Sequence, residues 1–185
     1  MRWFRKSSSE PLVVVMTAVK LGNRVLVIGC SDGPLIAALA AKSGLTGRAV
    51  ALDESRERTA EAERVALREG ALIETIVAPT SMLPLDENAF DIVVMRDVLP
   101  TIEPEARIRT VQEAWRVLRP GDRCLVIEGA TRGGLGAVFS RAGSDTQYAA
   151  SGGAPRVLEA GGFLAVRTLA ERGGVAFVEA VKANR

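Results

Sequence analysis

Short apolar runs alternate along this chain with longer segments whose apolar residues recur every three or four positions. Arg24-Val25-Leu26-Val27-Ile28 is β-branched and apolar, and Gly29 ends it, the pattern of a strand buried on both faces. Asp32-Gly33-Pro34 opens a helix that runs to Lys42 and closes at Gly44. The alternation then repeats. Residues 48–52 form a strand ending at Asp53, and residues 55–69 a charged helix stopped by Gly70, with Ala60, Val65, Ala66 and Leu67 as its apolar positions. Residues 72–77 and 90–95 are two further strands, separated by a stretch containing Pro79 and Pro84. The segment 103–118 is an amphipathic helix with Ile108, Val111, Trp115 and Leu118 on its apolar face. Pro120-Gly121-Asp122 turns the chain into a fifth strand, 124–127.

The two ends read differently. Serines before Pro11, and Gly22 after the apolar stretch, bracket a short helix over 11–21. A glycine-rich segment, 130–153, follows the fifth strand. It exceeds the ~12–15 residues of ordinary structureless connections, which makes it a candidate lid loop. A short helix over 154–160, a strand over 163–169, a Gly173-Gly174 turn and a last strand complete the chain. Two strands joined by so short a turn must pair antiparallel. The expectation is one α/β domain over residues 1–185: a doubly wound, mostly parallel seven-stranded sheet with an antiparallel C-terminal strand pair and helices on both faces.

Composition narrows the function. Twenty-four basic against 22 acidic residues give a net charge of +2, too little to mark a nucleic-acid binder. Arg2, Arg5 and Lys6 concentrate positive charge beside Trp3 and Phe4, read as a frayed N-terminal tip. No apolar run reaches the ~20 residues of a transmembrane helix, and no cleavage site follows the basic tip, so the expected location is cytoplasmic. With two cysteines and no histidine, no protein-built metal site is expected, and the commonest general base near neutral pH is missing. Cys30 and Cys124 fall at opposite ends of non-neighbouring strands and are expected as free thiols.

In an open α/β sheet, ligands bind beyond the carboxyl ends of the strands, where strand order reverses. That edge carries Gly29-Cys30-Ser31-Asp32-Gly33, Asp53-Glu54, Ala78-Pro79-Thr80 and Met95-Arg96-Asp97. The first segment lets a ligand approach the backbone. Asp53, 24 residues after Gly29, can accept hydrogen bonds from both hydroxyls of a ribose.

Four segments, in order, resemble the motifs of class I (Rossmann-like) S-adenosylmethionine-dependent methyltransferases. They are Val25-Leu26-Val27-Ile28-Gly29-Cys30-Ser31-Asp32-Gly33, Val50-Ala51-Leu52-Asp53-Glu54-Ser55, Leu83-Pro84-Leu85 with Phe90-Asp91-Ile92-Val93-Val94, and the run from Glu113 to Gly121. The resemblance implies S-adenosylmethionine as cofactor, held by Gly29, Cys30, Ser31, Gly33, Asp53, Glu54, Pro79, Thr80, Met95 and Arg96. It also implies methyl transfer to a small-molecule or protein acceptor. Three positions depart from the family pattern. Val27 stands where an acid helps hold the methionine amino group, Ser31 at the middle glycine, and Pro79 where an aspartate commonly reads adenine. Those departures motivate the alternative of a degenerate member, a pseudoenzyme acting as an interaction or structural module. Catalytic residues, acceptor and oligomeric state are not assigned by the sequence.

Overall fold

The computed structural model describes residues 11–129 and 146–184. Its elements are α1 (Leu12–Thr17), β1 (Arg24–Ile28), α2 (Gly33–Ser43), β2 (Arg48–Asp53), α3 (Arg56–Arg68), β3 (Glu74–Val77), β4 (Phe90–Arg96), α4 (Pro104–Val117), β5 (Leu118–Gly129), α5 (Thr146–Ala150), α6 (Gly153–Ala160), β6 (Leu164–Arg172) and β7 (Val175–Val181). The strands form one sheet in the order β3-β2-β1-β4-β5-β7-β6. The first five pair in parallel, while β7 runs antiparallel to both β5 and β6. Strand order reverses at β1, and in open α/β sheets the carboxyl ends of the strands at such a reversal, here β1, β2 and β4, are where ligands bind.

Period-two alternation sorts the strand residues onto two cores. Leu26, Ile28, Val50, Leu52, Val93, Met95, Cys124 and Val126 face the layer of α4 and α6. Val25, Val27, Ala51, Ile92, Val94, Leu125 and Ile127 face α1 and α2. Helix ends follow local chemistry. Asp32 caps α2 by accepting from Leu35 N–H at 3.1 Å, and Ser55 caps α3 by accepting from Arg58 N–H at 3.2 Å. Gly173 and Gly174, both at positive φ, make the two-residue hairpin between β6 and β7.

Several boundaries differ from the sequence expectation. α1 ends at Thr17, because Ala18 turns left-handed (φ 47°) and Thr17 Oγ1 donates back to the Val14 carbonyl. β3 begins only at Glu74, and β6 runs on to Arg172. β5 starts directly after α4. Leu118 already pairs with Phe90, and the residues expected as a turn form an irregularity inside the strand before Arg123 pairs with Ile92. The buried face of α3 is Thr59, Ala62, Val65 and Ala66, with Leu67 exposed and Ala60 at the surface. In α4, Ile108 is exposed, while Arg107, Thr110, Val111, Ala114 and Val117 point inward. The expected lid over 130–153 lies outside the described residues except for 146–153, where α5 and the start of α6 replace the structureless segment. The basic tip also lies outside them.

Candidate cofactor site at the strand-order reversal

β1 ends in a turn that only glycine fits. Gly29 has φ +92°, and a Cβ there would stand 2.6 Å from the Arg96 carbonyl oxygen and 2.7 Å from Val98 Cγ2. The turn therefore lies directly against the end of β4. Gly33 serves a different purpose: a Cβ would meet the Val65 side chain at 3.0–3.3 Å, so this glycine lets α2 approach α3. Ser31 is exposed on the rim of the turn.

The tip of β2 is tied into that turn. Asp53 is buried at 5% exposure, and its Oδ2 accepts from Cys30 N–H at 2.8 Å while Oδ1 accepts from Ser55 N–H at 2.8 Å. Arg58 closes on the same carboxylate, Nη2 to Oδ1 at 2.6 Å and Nε to Oδ2 at 2.9 Å. Burial pushes the Asp53 carboxyl up, but hydrogen bonds from Arg58, Cys30 and Ser55 outweigh it and hold the group below its ordinary range. Cys30 takes part through its backbone alone. Its thiol is pushed to about 12 by burial and by the Asp53 charge, with Arg58 opposing, so it stays protonated. Cys124 is buried as well, and both cysteines are free.

Arg96, at the end of β4, brings a guanidinium to the same crevice. Its Nε lies 3.3 Å from Asp32 Oδ2 and 3.4 Å from Asp97 Oδ2, yet Nε and Nη1 are buried without a hydrogen bond. Donors in that condition are costly unless a ligand meets them. Met95, one residue earlier, is fully buried in the α4-side core, leaving only its backbone at the edge. Glu54 turns away from Asp53 and accepts from Thr80 N–H at 3.1 Å, joining the β2 and β3 tips. Pro79 is exposed beside that bridge. Gly29, Cys30, Ser31, Asp53 and Arg96 thus meet where the tips of β1, β2 and β4 come together, Glu54 and Thr80 bridge the β2 and β3 tips beside Pro79, and Gly33 and the Met95 side chain pack against neighbouring elements at the same edge.

Two groups at this edge carry no sequence signal. Arg58 is one of many arginines, singled out only by the turn that folds it back onto Asp53. Glu128, near the end of β5, is 8% exposed and accepts from the Tyr148 hydroxyl at 2.9 Å. The Arg107 guanidinium lies 4.8 Å over the Tyr148 ring. Tyr148 is therefore the anchor of α5, buried at 3% exposure. Burial raises Glu128 to about 7, against the opposing Tyr148 and Ala154 N–H hydrogen bonds. Among the described residues no cluster of three or more His, Cys, Asp or Glu is placed to hold a metal, and no helix is long and apolar enough to cross a membrane.

The strand order, the glycine turn at β1 and the acid at the tip of β2 define a Rossmann-like fold of the class I methyltransferase type. Among solved structures the chain is similar to a SAM-dependent methyltransferase from Aquifex aeolicus (TM-score 0.74, 20% identity, 91% of this chain and 87% of that one). The [4+2]-cyclase SpnF is similar as well (TM-score 0.72, 20% identity, 94% and 79% covered), so the fold by itself does not name the reaction. Residues 25–121 match the family described as "Methyltransferase domain", and the chain belongs to that family. It is 34% identical over 121 residues to the chloroplastic 2-phytyl-1,4-beta-naphthoquinone methyltransferase of Arabidopsis thaliana, covering 63% of this chain and 46% of that protein. With a ubiquinone/menaquinone biosynthesis C-methyltransferase UbiE of Pseudomonas putida the identity is 31% over 117 residues, 62% of this chain and 45% of the relative. The chain thus aligns with less than half the length of these relatives.

Proposed function

We propose that this chain binds S-adenosylmethionine and directs its methyl group to a small-molecule acceptor. The observation that carries the reading is the joined pair of turns: an acid at the tip of β2 hydrogen-bonded to the backbone of a glycine turn pressed against β4. A nucleoside in that crevice would set its ribose hydroxyls on Asp53 and its amino-acid end toward the β1 turn and Arg96. The Arg96 Nη1 donor, which has no hydrogen-bond partner among the described residues, suits a carboxylate. The departures at Val27 and Pro79 leave the ammonium and the adenine amine to backbone carbonyls.

When bound, the cofactor supplies an electrophilic methyl on a sulfonium, and a nucleophile takes it in line as the thioether leaves. The protein's own task is alignment and exclusion of water, for which no histidine is needed. The quinone compounds named in the relatives' descriptions support a small-molecule acceptor.

Calorimetric titration with S-adenosylhomocysteine tests the reading. Binding tighter than about 100 μM is expected, with Asp53→Ala weaker by at least about tenfold through loss of charge-assisted hydrogen bonds. A folded wild-type chain silent at millimolar ligand would instead be a structural or interaction module.

A further inference from the structure

The two carboxylate oxygens a ribose diol needs are both engaged. A carboxylate offers about four lone-pair sites, and those of Asp53 go to Cys30 N–H, Ser55 N–H and two donors of Arg58. The first two donors are backbone groups fixed inside the turns. Arg58 alone holds on through a side chain that can leave: it is 55% exposed, against 6% for Asp53. It stands in the first turn of α3, where helical side chains lean back toward the N-terminus, and this lean lays the guanidinium on the β2 tip.

We propose that Arg58 is a built-in competitor for the ribose site, setting both the affinity for the nucleoside and the demand for an intact diol. The proposal rests on the reading of Asp53 as the ribose acid. Ligand hydroxyls gain the carboxylate by displacing the guanidinium into water, where it is well solvated. Two neutral donors replace a bidentate charged one, so binding forfeits part of the ion pair's strength. For a half-exposed pair, that loss lowers affinity by about fivefold. A ligand with a single ribose hydroxyl cannot replace both bonds and leaves one Asp53 oxygen to be shared with Arg58. The competitor thereby masks part of the benefit of the second hydroxyl.

Removing it should uncover both effects. Arg58→Ala is well suited to the test, because alanine is the best helix former and the site is exposed, so α3 keeps its cap and its fold. Calorimetry on the full chain with S-adenosylhomocysteine should show Arg58→Ala binding about fivefold tighter than wild type, with Arg58→Lys between them. Raising the salt from about 50 to about 500 mM should tighten binding of adenosine, which has no carboxylate to meet Arg96, by the wild type through screening of the pair, and leave Arg58→Ala unmoved. The preference for adenosine over 2′-deoxyadenosine should widen in Arg58→Ala; a merely structural change in α3 would shift both ligands equally. Equal or weaker binding by a folded Arg58→Ala protein overturns this proposal alone. Silence of both proteins at millimolar ligand overturns the ribose-site reading and the proposal with it.

Discussion

At the scale of single residues, the proposed site separates groups assigned to the ligand from groups that hold the frame. Gly29 holds the frame by conformation, since no Cβ fits between it and the β4 end. Arg96 is the opposite case: its buried Nε and Nη1 gain no hydrogen bond within the described residues, which fits a donor kept for a ligand. Because Arg96 and Asp53 are assigned to different ends of the nucleoside, their substitutions should separate. Arg96→Met is expected to weaken S-adenosylhomocysteine by about tenfold, through loss of a charged hydrogen bond, and to leave adenosine affinity unchanged. Titrations with the two ligands check this. Equal loss for both would mean that Arg96 shapes the crevice rather than reading the carboxylate.

At the scale of elements, one family-like motif turns out to be a brace. Glu113 and Arg116 sit one turn apart on α4, and Arg116 donates to Glu113 while also reaching the Leu83 and Leu85 carbonyls. Glu113 in turn accepts from Leu83 N–H at 2.7 Å. The Leu83-Pro84-Leu85 segment has no ladder of its own, so these side chains supply the partners its backbone lacks. Hydrogen bonding to Arg116 outweighs burial and holds the Glu113 carboxyl below its ordinary range. Glu113→Ala leaves the Leu83 N–H without its acceptor and Arg116 without its counter-charge, though still bonded to the Leu83 and Leu85 carbonyls, and should cost about 1–2 kcal/mol in urea unfolding without a specific loss of nucleoside affinity. A binding defect at unchanged stability would move this pair from the frame to the site. Asp91 plays a similar part at the far end of the sheet, where it accepts from Arg24 N–H at 2.7 Å and pairs with Arg119, tying the starts of β1, β4 and β5.

For the whole molecule, Glu128 couples stability to pH. Its carboxyl rises from 4.5 to about 7 through burial, with the Tyr148 and Ala154 N–H hydrogen bonds opposing, Asp97 adding to the rise and Arg107 opposing it. The folded state therefore binds this proton more tightly than the unfolded chain. The contribution is fully present below about pH 4.5 and is lost as pH climbs to about 7, a total of about 3 kcal/mol. Glu128→Gln should remove that slope and stabilise the protein at pH 8, read from urea midpoints at several pH values; an unchanged slope would show that other groups carry it. The alternation of apolar runs and periodic segments was enough to predict the order of the strands along the chain, the β6–β7 hairpin turn, the fold class and Asp53 as the acid at a strand tip. Those features depend on local pattern, on turn glycines and on spacing along the chain. The buried faces of α3 and α4 and the irregular start of β5 were not legible, because each is settled by which neighbour packs against it. The same holds for the site. Sequence alone placed Asp53 beside a glycine turn, but only tertiary structure decided that Arg58 would reach its carboxylate, since a long side chain's partner depends on where the β2 tip and the first turn of α3 meet in space.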